Sequence, residues 1–346
     1  MRKLLNTLFV TSEGTYLSRE GETLVASRNG EVVLRLPVHT IDGIVLLVRS
    51  TLSTPLMGFC AEHGVQIGCL SEHGEFYARV QGPVRGNVLL RRQQYRAADD
   101  PVRSAAASYS FVIAKITNCR TVLLRAIRDK PDTRPLLASA CDNLARSMEN
   151  LQARRLSGGL TVDSVRGIEG DCGQEYFGVF DGLITAAKPE FAFTKRSRRP
   201  PLDRVNAMLS FVYTLLVHDV VGALESVGLD PYVGFLHVDR PGRPGLALDL
   251  IEELRPVLAD RLVVTLINRR QVNSAEFEMQ PNGAVLMDET TRRTVLQEWQ
   301  RRKQEEIVHP FLGESIPLGL FPYVQALLFA RWLRGDLDVY PSLIWR

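Results

Sequence analysis

Three short segments set chemistry-bearing side chains into otherwise apolar sequence: R-G-I-E-G around Glu169, G-F-L-H ending at His237, and L-D-L-I-E-E-L-R-P from Leu248 to Pro256. Carboxylate oxygens with a neutral imidazole nitrogen suit a divalent ion such as magnesium or manganese. Two basic windows point to what that ion would act on. Arg79 to Arg96 holds five arginines (79, 85, 91, 92, 96) and no acid, a net +5. Lys188 to Arg204 holds six bases (Lys188, Lys195, Arg196, Arg198, Arg199, Arg204) against Glu190 and Asp203, a net +4. Each exceeds the +3 of the whole chain, so the remainder is net negative. Such patches attract polyanions whatever the total charge. The first reading is metal-assisted chemistry on nucleic-acid phosphates.

Each feature has a plainer reading. On a helix near residue 249, Leu246, Ala247, Leu250, Ile251, Leu254, Val257 and Leu258 form an apolar arc, with Asp249, Glu252 and Glu253 opposite. A solvated acidic face gives the same pattern. The turn-rich stretch V-D-R-P-G-R-P-G can instead fold His237 back over the helix start, and Arg255 and Pro256 supply a cation and a helix stop. His237 alone reads equally as a hydrogen-bonded core histidine. Glu169 shares its stripe with Cys172, Gly173 and Tyr176. Small neighbours leave room for an ion, or mark a helix-packing glycine beside an exposed glutamate. A glycine inside a helix costs about 1 kcal/mol against alanine, so Gly173 needs a reason. Asn206, Ser210 and Tyr213 form a polar stripe on an apolar helix, expected near reacting DNA or in a helix–helix hydrogen-bond network. The basic windows carry few acids in sequence, which favours phosphate contact by Arg85, Arg91, Arg92, Arg196, Arg198 and Arg199 over a salt-bridged surface.

Two kinds of element must position these groups. Up to about residue 80 the pattern is short strands: Thr7–Val10, Thr15–Leu17, Thr23–Ala26, Val32–Leu36, Ile41–Leu47, Val65–Leu70 and Glu75–Val80, with a helix over Pro55–His63. Asn29-Gly30 is a hairpin signal. From residue 101 the spacing predicts helices near 101–129, 134–153, 161–182, 203–226, 245–259, 288–306 and 318–334, with a hairpin at Pro281-Asn282-Gly283. The expected fold is α+β and multidomain. A small β-sandwich-like domain (1–83) precedes a basic linker (84–100) and a larger all-α domain (101–346).

Composition excludes several classes. The chain has 346 residues, 45% hydrophobic and 23% charged, ordinary for a globular protein. Five scattered cysteines without a C-x-x-C pair favour buried thiols in a reducing cytoplasm. The N-terminal apolar run is broken by Asn6, which argues against a signal peptide, and no uninterrupted apolar run of about 20 residues predicts a membrane span. There is no G-x-x-x-x-G-K-[ST], H-E-x-x-H, G-x-S-x-G or dinucleotide fingerprint.

With these residues in view, the chain resembles the CRISPR-associated integrase of spacer acquisition, CRISPR-associated protein one. The resemblance runs nearly end to end. It covers G-P-V-R-G-N-V-L-L-R-R-Q-Q-Y-R at 82–96, R-G-I-E-G…Y-F at 166–177, R-R-P-P-L-D-R-V-N-A-M-L-S-F-V-Y-T-L-L at 198–216, G-F-L-H at 234–237 and L-D-L-I-E-E-L-R-P at 248–256. The ending, G-D-L-D-V-Y-P-S-L-I-W-R, resembles the branch found in type I systems of the C variety. The resemblance implies a homodimer acting with a dimer of the small CRISPR-associated protein two on double-stranded DNA, both a captured spacer fragment and the array. It implies a metal triad of Glu169, His237 and Glu252 holding magnesium or manganese, with Asp249 beside the ion. Where the family often has two alanines, this chain has Cys172 and Gly173, still small. The implied reaction is attack of a spacer 3′-hydroxyl on a repeat-edge phosphodiester, with nuclease activity when water replaces the hydroxyl. The alternatives are a stand-alone nuclease on branched DNA and a non-catalytic DNA scaffold.

Overall fold

The computed structural model describes residues 6–41, 43–71, 76–80, 82 and 88–345. The first part is built from β1 (Thr7–Val10), β2 (Tyr16–Glu20), β3 (Thr23–Arg28), β4 (Glu31–Pro37), β5 (Gly43–Leu46), β6 (Thr51–Leu52), α1 (Thr54–His63), β7 (Gln66–Leu70) and β8 (Phe76–Val80). One four-stranded sheet has the order β4-β3-β2-β6 and the other β1-β5-β7-β8. Asn29 and Gly30 both take positive φ, 53° and 85°, so the chain reverses tightly and pairs Arg28 with Glu31. β5 lies between parallel neighbours β1 and β7, which is why its residues are all buried and its sequence is continuously apolar. Leu17 and Leu24 of one sheet, Ile44 and Ile67 of the other, and Leu56 of α1 share one apolar cluster. Val45, Leu47 and Leu70 belong instead to the core of the helical part.

That part contains α2 (Val88–Asp99), α3 (Pro101–Asp129), α4 (Arg134–Leu156), α5 (Val162–Gly178), α6 (Arg204–Val227), α7 (Gly245–Leu254), α8 (Arg261–Asn268), β9 (Phe277–Met279), β10 (Val285–Met287), α9 (Glu289–Lys303), β11 (Glu306–Val308), β12 (Ser315–Pro317) and α10 (Phe321–Arg334). By length and composition α6 could cross a membrane, but 67% of that stretch is buried inside the protein, where it is a core helix.

Three expectations are corrected. The segment read as a basic linker is helical from Val88, and it packs through Leu90, Gln94 and Ala97, a buried stripe in which the Gln94 amide bonds the Asp230 and Val233 backbone; the polar Gln94 masks that stripe in the sequence. The helical part is not all-α: β9 pairs with β10 and β11 with β12. The first pair is the hairpin at Pro281-Asn282-Gly283; the second joins Glu306–Val308 to Ser315–Pro317. Finally, the stretch expected as one helix over 245–259 ends at Leu254 and continues through a wider π turn, Arg255–Asp260, into α8. The wider turn accommodates Pro256, which lacks an N–H, so Arg255-Pro256 re-aims the helix instead of stopping it.

Candidate metal centre and basic cleft

Asp249 sits fully buried in the first half of α7. Its carboxylate accepts the backbone N–H groups of Phe235 (2.6 Å), Leu236 (3.1 Å) and His237 (3.0 Å), and meets Nδ1 of His237 at 2.6 Å. Four donors converge on one carboxylate, which folds the G-F-L-H loop over the start of α7. The loop approaches closely because Gly234 and Gly245 lack side chains. A Cβ on Gly234 would lie 2.8 Å from the Gly245 carbonyl carbon, and one on Gly245 would lie 2.8 Å from the Tyr232 oxygen. With Nδ1 engaged, Nε2 of His237 is the ring atom available to a ligand.

Glu252 follows Asp249 by one helical turn and is 2% exposed. The solvated acidic face is therefore overturned: Asp249, Glu252 and Glu253 are all buried. Arg255 donates to Oε1 of Glu252 at 2.5 Å, and the Lys115 ammonium lies 2.7 Å from Oε2. Burial alone would raise the Glu252 carboxyl, but Arg255, Lys115 and His237 outweigh it and hold it well below the ordinary range. Glu252 is thus an ionised carboxylate in the interior.

Glu169 comes from α5, whose start is fixed by a reciprocal pair of bonds between Thr161 and Ser164. Its carboxylate also bonds the Lys115 ammonium. One turn earlier, the Arg166 guanidinium donates to the Leu236 carbonyl at 2.9 and 3.2 Å, tying α5 to the loop that carries His237. Glu169 and Glu252 are therefore brought together through Lys115. His237 reaches the same helix through Asp249.

Lys115 belongs to none of the motifs singled out in the sequence. It is the lone charged residue between Arg103 and Arg120 on a long apolar helix, and that isolation was the available signal. Burial pulls its proton affinity down, but Glu252 and Glu169 prevail and raise it above the ordinary value.

Beside Glu169 a cleft of about 520 Å³ opens, lined by Lys115, Lys195, Arg196, Arg198 and Arg255 together with Tyr176, Phe177 and Tyr213. Gly170 and Gly173 also line it, and a Cβ on either would meet nothing within 4 Å. These glycines border open space, so the helix-packing reading is corrected. The floor is the π turn: Asp260 accepts from the Tyr213 hydroxyl at 2.5 Å, and burial raises its carboxyl to about 6.

The donor set suits a hard or borderline divalent ion. The Glu169 and Glu252 carboxylates, from α5 and α7, both meet the Lys115 ammonium, which lies 2.7 Å from Oε2 of Glu252, and His237 is held to α7 through Asp249. Among the described residues no three His, Cys, Asp or Glu side chains already stand at ligand spacing. The Lys115 ammonium occupies the position between the two glutamates.

The family model for CRISPR-associated protein Cas1 matches residues 8–301. The chain belongs to the Cas1 family. A Cas1 endonuclease of Chlorobaculum tepidum is 50% identical over the full length of both chains, and one of Rhodospirillum rubrum is 51% identical, likewise over both full lengths. The fold is similar to that of a casposase bound to an integration product (TM-score 0.83, 22% identity, 98% of this chain and 94% of that one). It is also similar to a Cas1 protein from Thermotoga maritima (TM-score 0.81, 20% identity, 97% and 99%).

In this Cas1-family chain the expected DNA-contact residues divide into groups. Arg198 and Arg199 are exposed, and Arg198 lines the cleft. Arg92 is exposed and Arg91 half-buried on α2. Arg85 lies outside the described residues. Arg196 turns inward, donating to Asn206 (2.6 Å) and Ser210 (3.1 Å), with its guanidinium 5.2 Å from the Tyr213 ring centre. Tyr213 is in the cleft wall with its hydroxyl committed to Asp260. Asn206 is corrected: it is fully buried, and its amide holds Arg196, the Ser197 N–H and the Lys195 carbonyl. The polar stripe of α6 anchors the basic loop from below. Elsewhere the basic windows are partly neutralised, Arg79 by Glu225 at 2.6 Å and Lys188 by Asp181 at 2.7 Å.

Proposed function

We propose that this Cas1-family chain is a metal-dependent DNA integrase and endonuclease that joins captured DNA fragments into a CRISPR array. The observation that carries the mechanism is the convergence of Glu169 and Glu252 on one cationic position, beside a histidine whose Nδ1 is fixed by Asp249. Glu169, His237 and Glu252 would hold magnesium or manganese. Such an ion would lower the pKa of the attacking hydroxyl and stabilise the negative charge that builds on the phosphoryl oxygens in the transition state. Asp249 orients His237 by accepting at Nδ1, which leaves Nε2 as the ring nitrogen that would serve as a ligand. Arg255 offsets the charge of Glu252. Lys195, Arg198 and Arg199 hold phosphates along the cleft, and Arg196 shapes the loop that presents them. The 3′-hydroxyl of the fragment gives up its proton and attacks a repeat-edge phosphodiester, forming a new P–O bond as the bond to the array strand's 3′-oxygen breaks and that oxygen leaves as a protonated 3′-hydroxyl; water in place of the fragment gives hydrolysis. No protein nucleophile is needed.

The assembly reading follows the family. The two N-terminal sheets form a sandwich-like domain over 1–83 that pairs two-fold, joined to the catalytic domain over 101–346 through 84–100, which is helical from Val88 and packed on that domain, with a dimer of the small CRISPR-associated protein two between two such pairs. The decisive assay is half-site integration into supercoiled array DNA with and without that partner and manganese. Products that need both support the reading. Cleavage of branched DNA with no integration under any condition would favour a stand-alone nuclease.

A further inference from the structure

We propose that Lys115 is a built-in competitor for the divalent ion, and that ion binding releases its ammonium into the adjoining cleft to meet a DNA phosphate. This rests on Glu169, His237 and Glu252 as the ion's ligands.

The geometry supplies each step. Three helices contribute: α3 brings Lys115, α5 brings Glu169 and α7 brings Glu252. The ammonium touches both glutamates, and its side chain is only 10% exposed. The buried Glu252 and the half-buried Glu169 both lie against one position, where a cation offsets their mutual repulsion, and Lys115 supplies it. Arg255 meets Glu252 at Oε1, 2.5 Å away, and Oε2 is left to Lys115. A divalent ion seeks the same oxygens as the ammonium, and two cations cannot share that position without strong repulsion. Binding of one therefore weakens binding of the other, by the reciprocity of linked equilibria.

The displaced group also has a destination. Lysine carries a compact charge on a flexible four-carbon stem. Lys115 lines the 520 Å³ cleft, where Gly170 and Gly173 leave open space along α5. The cleft's other cations are Lys195, Arg196, Arg198 and Arg255. A released ammonium adds a charge to that wall beside the reacting centre. The site would then gain one phosphate contact only once it is loaded, coupling ion binding to strand binding.

The test uses the full chain at one fixed pH. Mn2+ is titrated calorimetrically into wild type, Lys115→Met and Lys115→Gln, with thermal melting of each form with and without Mn2+. Both variants should bind Mn2+ more tightly than wild type, by about fivefold or more. Their melting temperatures should rise more on adding Mn2+ than that of wild type, a readout that works even where the ion-free variant is less stable. DNA-binding salt dependence gives the second arm. With Mn2+, the log–log slope of wild type should exceed that of Lys115→Met by about 0.9, and without Mn2+ the slopes should agree. Wild type binding Mn2+ as tightly as, or more tightly than, both variants would overturn the competitor role while leaving the metal centre standing. Equal slopes with Mn2+ would overturn the phosphate contact. Failure of every form to bind Mn2+ would overturn the metal centre itself and this proposal with it.

Discussion

Helix α7 buries three carboxylates within five residues, and its two sides treat them in opposite ways. On one side, Glu252 faces Lys115 and Arg255 and is held ionised. On the other, Glu253 faces neutral donors: the Tyr340 hydroxyl at 2.5 Å, the Gln325 amide at 3.0 Å and the Leu343 N–H at 2.6 Å. There burial raises the carboxyl from 4.5 to about 7, against the pull of those hydrogen bonds. Equal burial thus gives unequal charge, and the sign of the neighbours decides which carboxylate can serve a cation. The Glu253 side is structural. It clamps the segment Tyr340–Trp345, which Asn118 also grips through the Leu343 carbonyl and the Trp345 N–H, both at 2.8 Å.

The largest effect should come from the cation side. His237→Ala or Glu252→Ala should bring strand transfer below detection while leaving DNA binding close to wild type, because the ion and the phosphates are held by different residues. Filter binding beside an integration assay reads both; matched losses would make the two sides of α7 alike in being structural. Asp249→Asn comes next. It should cost about 10–100-fold in Mn2+ affinity by loosening the orientation of His237, and calorimetry measures this.

Glu253 should instead show itself in stability. Its folded pKa lies above its ordinary value, so the folded state holds the proton more tightly. Its contribution is complete below about pH 4.5 and is lost as pH rises through about 7, up to about 3 kcal/mol. Urea unfolding of wild type and Glu253→Gln at pH 5 and pH 8 should show a smaller pH difference in the variant; equal differences would contradict the assignment. The smallest effect belongs to the cleft rim. Arg198→Ala and Arg199→Ala should each flatten the log–log salt slope of DNA binding by about 0.9, equally for all sequences.

Periodicity and turn chemistry made the framework legible. α3 begins and ends as its pattern indicates, and Asn29-Gly30 turns because both positions need positive φ. The order and spacing of the five family motifs singled out Glu169, His237, Asp249 and Glu252 as candidates. The surroundings of α7 were not. Sequence shows its acids opposite an apolar arc, but the groups that cover them come from far along the chain: Lys115 before it, Tyr340 and Leu343 after it. Pairing of the basic windows was hidden for the same reason. Glu225 is a long way from Arg79 in sequence and 2.6 Å from it in space. Asn206 reads as a residue near DNA or in a helix–helix network because a polar stripe on an apolar helix looks the same whether DNA, a helix or a folded-back loop completes it.

The central claim is that Glu169, His237 and Glu252 share one divalent ion. Anomalous diffraction from crystals of the protein soaked in Mn2+ tests it most directly. The account predicts one peak at roughly 2.0–2.3 Å from a carboxylate oxygen of Glu169, one of Glu252 and Nε2 of His237. Mn2+ bound elsewhere, or held without His237, would contradict it.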